Sequence, residues 1–212
     1  MNESVMPKKR GRPVAFDYDT ALEKAMYAFW QHGYEGTSMA TLMSAMDMNK
    51  ASIYAAYGSK EALFQKALDA YVQGPASFIA SSLQQPTAAK VIDALLTQAA
   101  TMLTDGSHAA GCLVTKGALA CSAEGAHMQT LLSGYRTSTE AKLAQRFERA
   151  RAEGDLSADT DAVALARLVM TLHQGMTVQA VSGVTQAELL TMVKMASGLI
   201  AAYVGTTQQV HT

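Results

Sequence analysis

The sequence has little of what would place it in several large classes. Two cysteines in 212 residues cannot build a disulfide framework and suit a reducing compartment. Four prolines leave room for long helices. No apolar run approaches the roughly 20 residues that span a bilayer. The basic residues Lys8, Lys9, Arg10 and Arg12 are followed by no apolar signal-peptide core. A cytoplasmic protein with no membrane partner is therefore expected. There is no Gly-rich phosphate loop, nucleophile elbow, H-x-x-x-H or C-x-x-C, so no enzyme, cofactor or metal site is expected. The formal net charge is −1, which excludes a protein coated in positive charge but allows a local basic patch.

What is present reads as helix. Apolar residues make up 49% of the chain, enough for a buried core. After a plausible N-cap at Asp17, the residues Leu22, Ala25, Met26, Phe29 and Trp30 recur at helical spacing up to Gly33. Thr37 and Ser38 then offer caps for a short helix carrying Met39, Leu42, Met43 and Met46. Asp47, Met48 and Asn49 break that helix, and a second short one carries Ile53, Tyr54 and Tyr57. Gly58 and Ser59 end it and open the next, with Leu63, Phe64, Ala67, Leu68 and Tyr71 on its apolar face. Two short helices joined by three or four residues have the dimensions of a helix-turn-helix. Further helices follow from Thr87, over about 126–153, from Asp161, and from the capping box Thr185-x-x-Glu188. No strand-like alternation and no internal repeat is visible, so the expected fold is all-α with about nine or ten helices.

The segment 37–64 carries the functional signal. A helix that enters the major groove must be short and solvent-facing, with small or polar residues in its first turn. Asn49, Lys50, Ala51 and Ser52 meet that demand. Tyr54 and Tyr57 pair an anchoring ring with a hydroxyl able to reach a phosphate, and they also fit as core residues of a three-helix unit. Lys60 starts the next helix, where the dipole and an ammonium together hold a phosphate.

This segment resembles the DNA-binding domain of the TetR family of transcriptional regulators. The match runs from Phe16-Asp17 through Phe29-Trp30-x-x-Gly33-Tyr34-x-Gly36-Thr37-Ser38 to Ser52-Ile53-Tyr54-x-x-Tyr57-Gly58-Ser59-Lys60-Glu61-x-Leu63-Phe64. The resemblance implies that Thr37 and Ser38 cap the helix lying across the DNA backbone. It implies that Lys50, Ala51 and Ser52, beside Asn49, face bases or phosphates, and that Tyr54, Tyr57 and Lys60 contact phosphates. Two departures stand out. Asp47 occupies a turn position where the family usually has Gly, and Asp tolerates a left-handed backbone better than most residues. Ala55 and Ala56 replace bulkier residues and remove two possible contacts. Ahead of this unit, Pro7-Lys8-Lys9-Arg10-Gly11-Arg12-Pro13 resembles an AT-hook, whose Arg-Gly-Arg-Pro core lies in an A·T-rich minor groove.

The resemblance also implies an organisation. Residues 1–16 form a flexible basic arm, 17–58 the DNA-binding domain and 59–212 an effector-binding and dimerisation domain. A homodimer through residues 159–181 and 185–205 would bind double-stranded DNA at a palindromic operator, repress by occupying a promoter, and be released by a small-molecule effector. Phe78, Met102, Cys112, Met128, Tyr135, Met170, His173 and Gln174 are the candidate pocket residues. Their low polar content points to an uncharged or mainly apolar effector. His173 otherwise reads as a satisfied core histidine or a dimer-seam residue. The alternative is the same fold responding to thiol oxidation or metal through Cys112 and Cys121, although the spacing supplies no third ligand. An effectorless architectural DNA binder that relies on the arm is a further class, separable by deleting residues 1–13.

Overall fold

A computed structural model describes residues 17–119 and 126–206. The basic arm with Arg10 and Arg12, and Cys121, lie outside the described residues. Among those described there is no strand, and ten helices follow in order. Helix α1 (Tyr18–Gly36) opens on Asp17, whose Oδ1 accepts from the backbone N–H groups of Asp19 and Thr20 at 3.1 and 3.2 Å. It is interrupted at Gly33, whose φ of 72° lies in the left-handed region. The helical hydrogen bonding therefore ends where the sequence places the stop, and one further turn follows. Helix α2 (Met39–Met46) starts at Ser38, whose Oγ accepts from Thr41 N–H at 3.0 Å. It ends at Asp47 with φ 54° and ψ 44°, and Met48 N–H returns to the Met43 carbonyl at 3.1 Å. That bond closes a Schellman-type ending, with Asp in the place of the usual glycine.

Helix α3 (Lys50–Tyr57) and helix α4 (Lys60–Gln73) follow, capped by Asn49 and Ser59. The core of this unit is Phe29, Trp30, Leu42, Met46, Ile53, Leu63 and Phe64, all fully or almost fully buried. Phe29 and Phe64 meet edge to face with centroids 4.9 Å apart. Gly74 ends α4, as its place before Pro75 suggests.

The rest is a bundle of α5 (Phe78–Ser82), α6 (Ala88–Thr104), α7 (Leu113–Leu119), α8 (Ala126–Ala152), α9 (Ala162–Val181) and α10 (Gln186–Thr206). Helix α6 lies at its centre, packed by α5, α9 and α10. It buries Val91, Ile92, Leu95, Leu96, Ala99 and Leu103. Helix α8, with 27 residues, runs for about 40 Å and packs most extensively on α9. The start of α10 forms the capping box read from the sequence: Thr185 N–H donates to Glu188 Oε2 at 2.9 Å, and Glu188 N–H to Thr185 Oγ1 at 3.4 Å. Among the described residues, no helix is long and apolar enough to cross a membrane.

Candidate nucleic-acid interface and bundle cavity

Helix α3 presents nearly its whole surface to solvent. Asn49, Lys50, Ala51, Ser52, Tyr54, Ala55 and Ala56 are all exposed, and only Ile53 and Tyr57 are buried. A two-turn helix can be this exposed because its ends are fixed. Asn49 Oδ1 accepts from Ser52 N–H at 2.9 Å at one end. At the other, the Tyr57 hydroxyl donates to the Tyr18 carbonyl at 3.0 Å, tying α3 to the start of α1. The three alanines keep the outer face low, so that its backbone can approach a groove floor. Lys50 Nζ lies 5.8 Å from the Tyr54 ring centroid, which steers the ammonium along the helix.

The structure gives three of the residues singled out in the sequence further contacts within the protein. Thr37 does not cap α2. It is wholly buried, and its hydroxyl donates to the Gly33 carbonyl at 2.6 Å and the Ala28 carbonyl at 3.3 Å. The single Thr37 hydroxyl proton is thus held between two carbonyls inside the protein, the Gly33 one nearer; Ser38 alone performs the capping. Tyr57 is turned inward, its hydroxyl engaged with Tyr18, whereas Tyr54 projects outward with 39% exposure. Lys60 is half-buried, its Nζ 4.4 Å over the Tyr34 ring. Burial pulls its ammonium below the ordinary lysine range. The Tyr34 hydroxyl in turn donates to Glu61 Oε1 at 2.8 Å, so the first turn of α4 is organised around Tyr34.

The bundle holds a cavity of about 210 Å³ between α4 and α9, opening to solvent beside the exposed Ser138 and Lys142. Met102, Cys112, Tyr135, Met170, His173 and Gln174 line it together. The other two candidates do not. Phe78 packs beside His173 with ring centroids 6.5 Å apart, and Met128 is buried two helical turns before Tyr135 on α8. The sequence reading missed Tyr71, Thr115, Ser138, Thr139, Arg136 and Lys142 on the same walls. A signal existed: Tyr135, Ser138, Thr139 and Lys142 recur at three- and four-residue steps, a polar stripe on a helix face that bundle packing would otherwise make apolar. Among the described residues no carboxylate lines the cavity. Cys112 is buried, and among the described residues no three His, Cys, Asp or Glu side chains gather as a metal site would require.

His173 is 3% exposed, and neither ring nitrogen has a hydrogen-bond partner among the described residues. Burial lowers its pKa from the ordinary 6.5 to about 4. The unfolded chain therefore binds a proton at pH 5 that the folded protein does not. Stability is fully present above pH 6.5 and is lost as the pH falls toward 4. Between pH 7 and pH 5 this group is expected to cost roughly 2 kcal/mol. Urea unfolding of wild type and His173→Leu at the two pH values should show that loss in wild type alone.

Two sets of contacts join the cavity walls to the DNA-binding unit. On α8, the Tyr135 hydroxyl donates to Asp69 Oδ1 at 2.5 Å and accepts from Gln65 Nε2 at 2.6 Å, both on α4. Burial and the Asp69 charge push the Tyr135 phenol up to about 12. At the other wall, Trp30 Nε1 donates to the Gly111 carbonyl at 2.8 Å, one residue before Cys112. Lys116 Nζ donates to the Trp30 and Ala110 carbonyls at 3.1 and 3.2 Å. His108 stacks on the indole at a centroid distance of 3.9 Å.

Comparison with known proteins agrees with this architecture. Residues 21–67 match the family of bacterial regulatory proteins of tetR type, and residues 88–188 match the tetracyclin repressor-like C-terminal domain. The chain is 31% identical over 185 residues to the HTH-type transcriptional repressor ComR of Escherichia coli K12, covering 86% of this chain and 88% of ComR. A cysteine mutant of the TetR family regulator CifR, solved with a 26-bp double-strand operator DNA, superposes with a TM-score of 0.83 at 39% identity, over 88% of this chain and 98% of CifR. A putative TetR regulator from Rhodococcus sp. RHA1 is 37% identical over 86% of this chain and 98% of its own, with a TM-score of 0.59. The chain belongs to the TetR family and is a TetR-type, DNA-binding transcriptional repressor.

Proposed function

We propose that the protein acts in the cytoplasm as a homodimer on a palindromic operator, and that a small molecule in the α4–α9 cavity releases it. The observation that carries the DNA half of this reading is the exposure of α3 outside Ile53 and Tyr57. Asn49, Lys50, Ala51 and Ser52 then meet base edges or nearby phosphates, while Ser38, Tyr54 and Lys60 hold the backbone. Arg10 and Arg12 reach the adjoining minor groove. The similarity to CifR, solved with double-strand operator DNA, supports the DNA-binding reading.

The dimer rests on an uncharged face. On α9 it comprises Ala164, Leu168, Thr171, Gly175 and Val178, all exposed, and on α10 Met195 and Leu199 at 65% and 71% exposure. Apolar side chains so grouped mark an interaction surface. Two copies meeting there form a four-helix seam, which sets the two α3 helices about 34–36 Å apart for successive major grooves. An effector that favours another spacing shifts the population away from the DNA-bound form. By linkage, DNA weakens effector binding by the same factor. The Tyr135–Asp69 and Trp30–Gly111 contacts join the cavity to α4 and α1, and supply the route.

Fluorescence anisotropy with duplex DNA from upstream of the protein's own gene tests this reading. Binding that survives a scrambled competitor is expected, and equal binding to both duplexes counts against a nearby operator. In the same assay at several salt concentrations, Lys50→Ala and Lys60→Ala should each reduce the slope of log K against log salt by about 1.

A further inference from the structure

We infer that the ligand of the α4–α9 cavity is an uncharged, largely apolar alcohol or phenol, a single ring with one or two small substituents in size, whose hydroxyl pairs with His173. The inference rests on the effector-binding reading above and names the chemistry of that site. The size follows from the cavity of about 210 Å³, since about 150 Å³ accommodates benzene. The apolar body is set by Ala76, Ile79, Leu83, Met102, Val114 and Met170 on the walls.

The hydroxyl is set by His173. This imidazole is buried on the wall with both nitrogens unpartnered, and a buried polar group left so is costly. A neutral imidazole offers one N–H donor and one bare acceptor nitrogen. Either nitrogen can carry the proton, and a hydroxyl pairs with the facing nitrogen in both tautomers, donating to the bare nitrogen or accepting from the N–H, whereas a carbonyl pairs only with the N–H. A cationic ligand is disfavoured, because among the described residues no carboxylate lines the cavity and Arg136 and Lys142 stand among its lining residues. Burial keeps the ring neutral at physiological pH, so the imidazole itself offers an anion no charge.

Phenol, toluene and benzoate form a matched set of probes for the full-length protein. Phenol is expected to bind roughly tenfold or more tightly than toluene and to raise Tm more at equal concentration. In ¹⁵N-histidine-labelled protein, the unprotonated nitrogen of His173, assigned by its loss in His173→Leu, should move upfield on adding phenol and not on adding toluene. His173→Leu should reverse the preference in favour of toluene. Equal affinity for phenol and toluene, tighter binding of benzoate, unchanged imidazole resonances, or no phenol binding at millimolar concentration would each overturn the inference. The wild-type comparison stands even if the variant folds poorly. Phenol binding with the imidazole signature but with operator affinity unchanged would uphold the ligand class and remove the cavity's role in release. Release by benzoate alone would do the reverse.

Discussion

Replacing Leu199 with arginine is expected to convert the dimer to monomers and to weaken operator binding by roughly 100-fold or more. Leu199 is 71% exposed on α10, next to the groove it shares with Leu168 and Leu165 of α9. In a two-fold interface the same patch meets itself. One substitution therefore places two guanidinium groups in an apolar seam, each losing water without gaining a partner. The affinity loss is larger than the loss of one contact. A dimer engages its second half-site at a high effective concentration, an advantage on the order of 10²–10⁴ that a monomer lacks. Sedimentation velocity reads the mass and anisotropy the affinity. Gln84→Arg, at an exposed position away from α9 and α10, should change neither. A variant at Leu199 that stays dimeric would place the interface elsewhere.

The second large effect is on stability. Trp30→Ala is expected to cost roughly 3–5 kcal/mol, and Trp30→Phe about 1–3 kcal/mol. Trp30 is wholly buried, edge-to-face on Tyr71 at 4.8 Å and stacked with His108. Alanine empties the junction between the DNA-binding unit and the bundle. Phenylalanine keeps much of the ring packing but leaves the buried Gly111 carbonyl without its donor. Gly111 itself cannot shift freely. Its φ is +87°, and a Cβ there would stand 2.8 Å from Val181. Urea unfolding measures both losses. A cost below about 1 kcal/mol for the alanine variant would contradict the burial described.

How far the sequence discloses this structure depends on the range of the interaction. The caps at Asp17, Ser38, Ser59, Thr87, Asp161 and Thr185 act within three residues, and all are legible as side chains preceding an apolar period. Helix α5 is not: it has five residues and no side-chain cap, so neither periodicity nor punctuation marks it. Thr37 and Ser38 are indistinguishable as caps in the sequence. Their roles separate only because the chain breaks at Gly33 and turns the Thr37 hydroxyl inward. The cavity is partly legible, because a few polar residues such as His173 and Gln174 interrupt an apolar face. Its closure by Tyr71, Arg136 and Lys142 depends on how α4, α8 and α9 pack. The link from Trp30 to Gly111, 81 residues apart, leaves no local trace at either end.

In the proposed dimer, α3 of each copy reads the major groove. Selection of bound sites from a library of random duplexes, using the full-length protein, tests it most directly. Expected is an enriched palindrome whose half-sites are centred about one helical turn, or a multiple of it, apart, with enrichment lost when Asn49, Lys50 and Ser52 are replaced together by alanine. Enrichment of nothing beyond A·T-rich runs, unchanged in the triple variant, would contradict it and assign DNA binding to the basic arm.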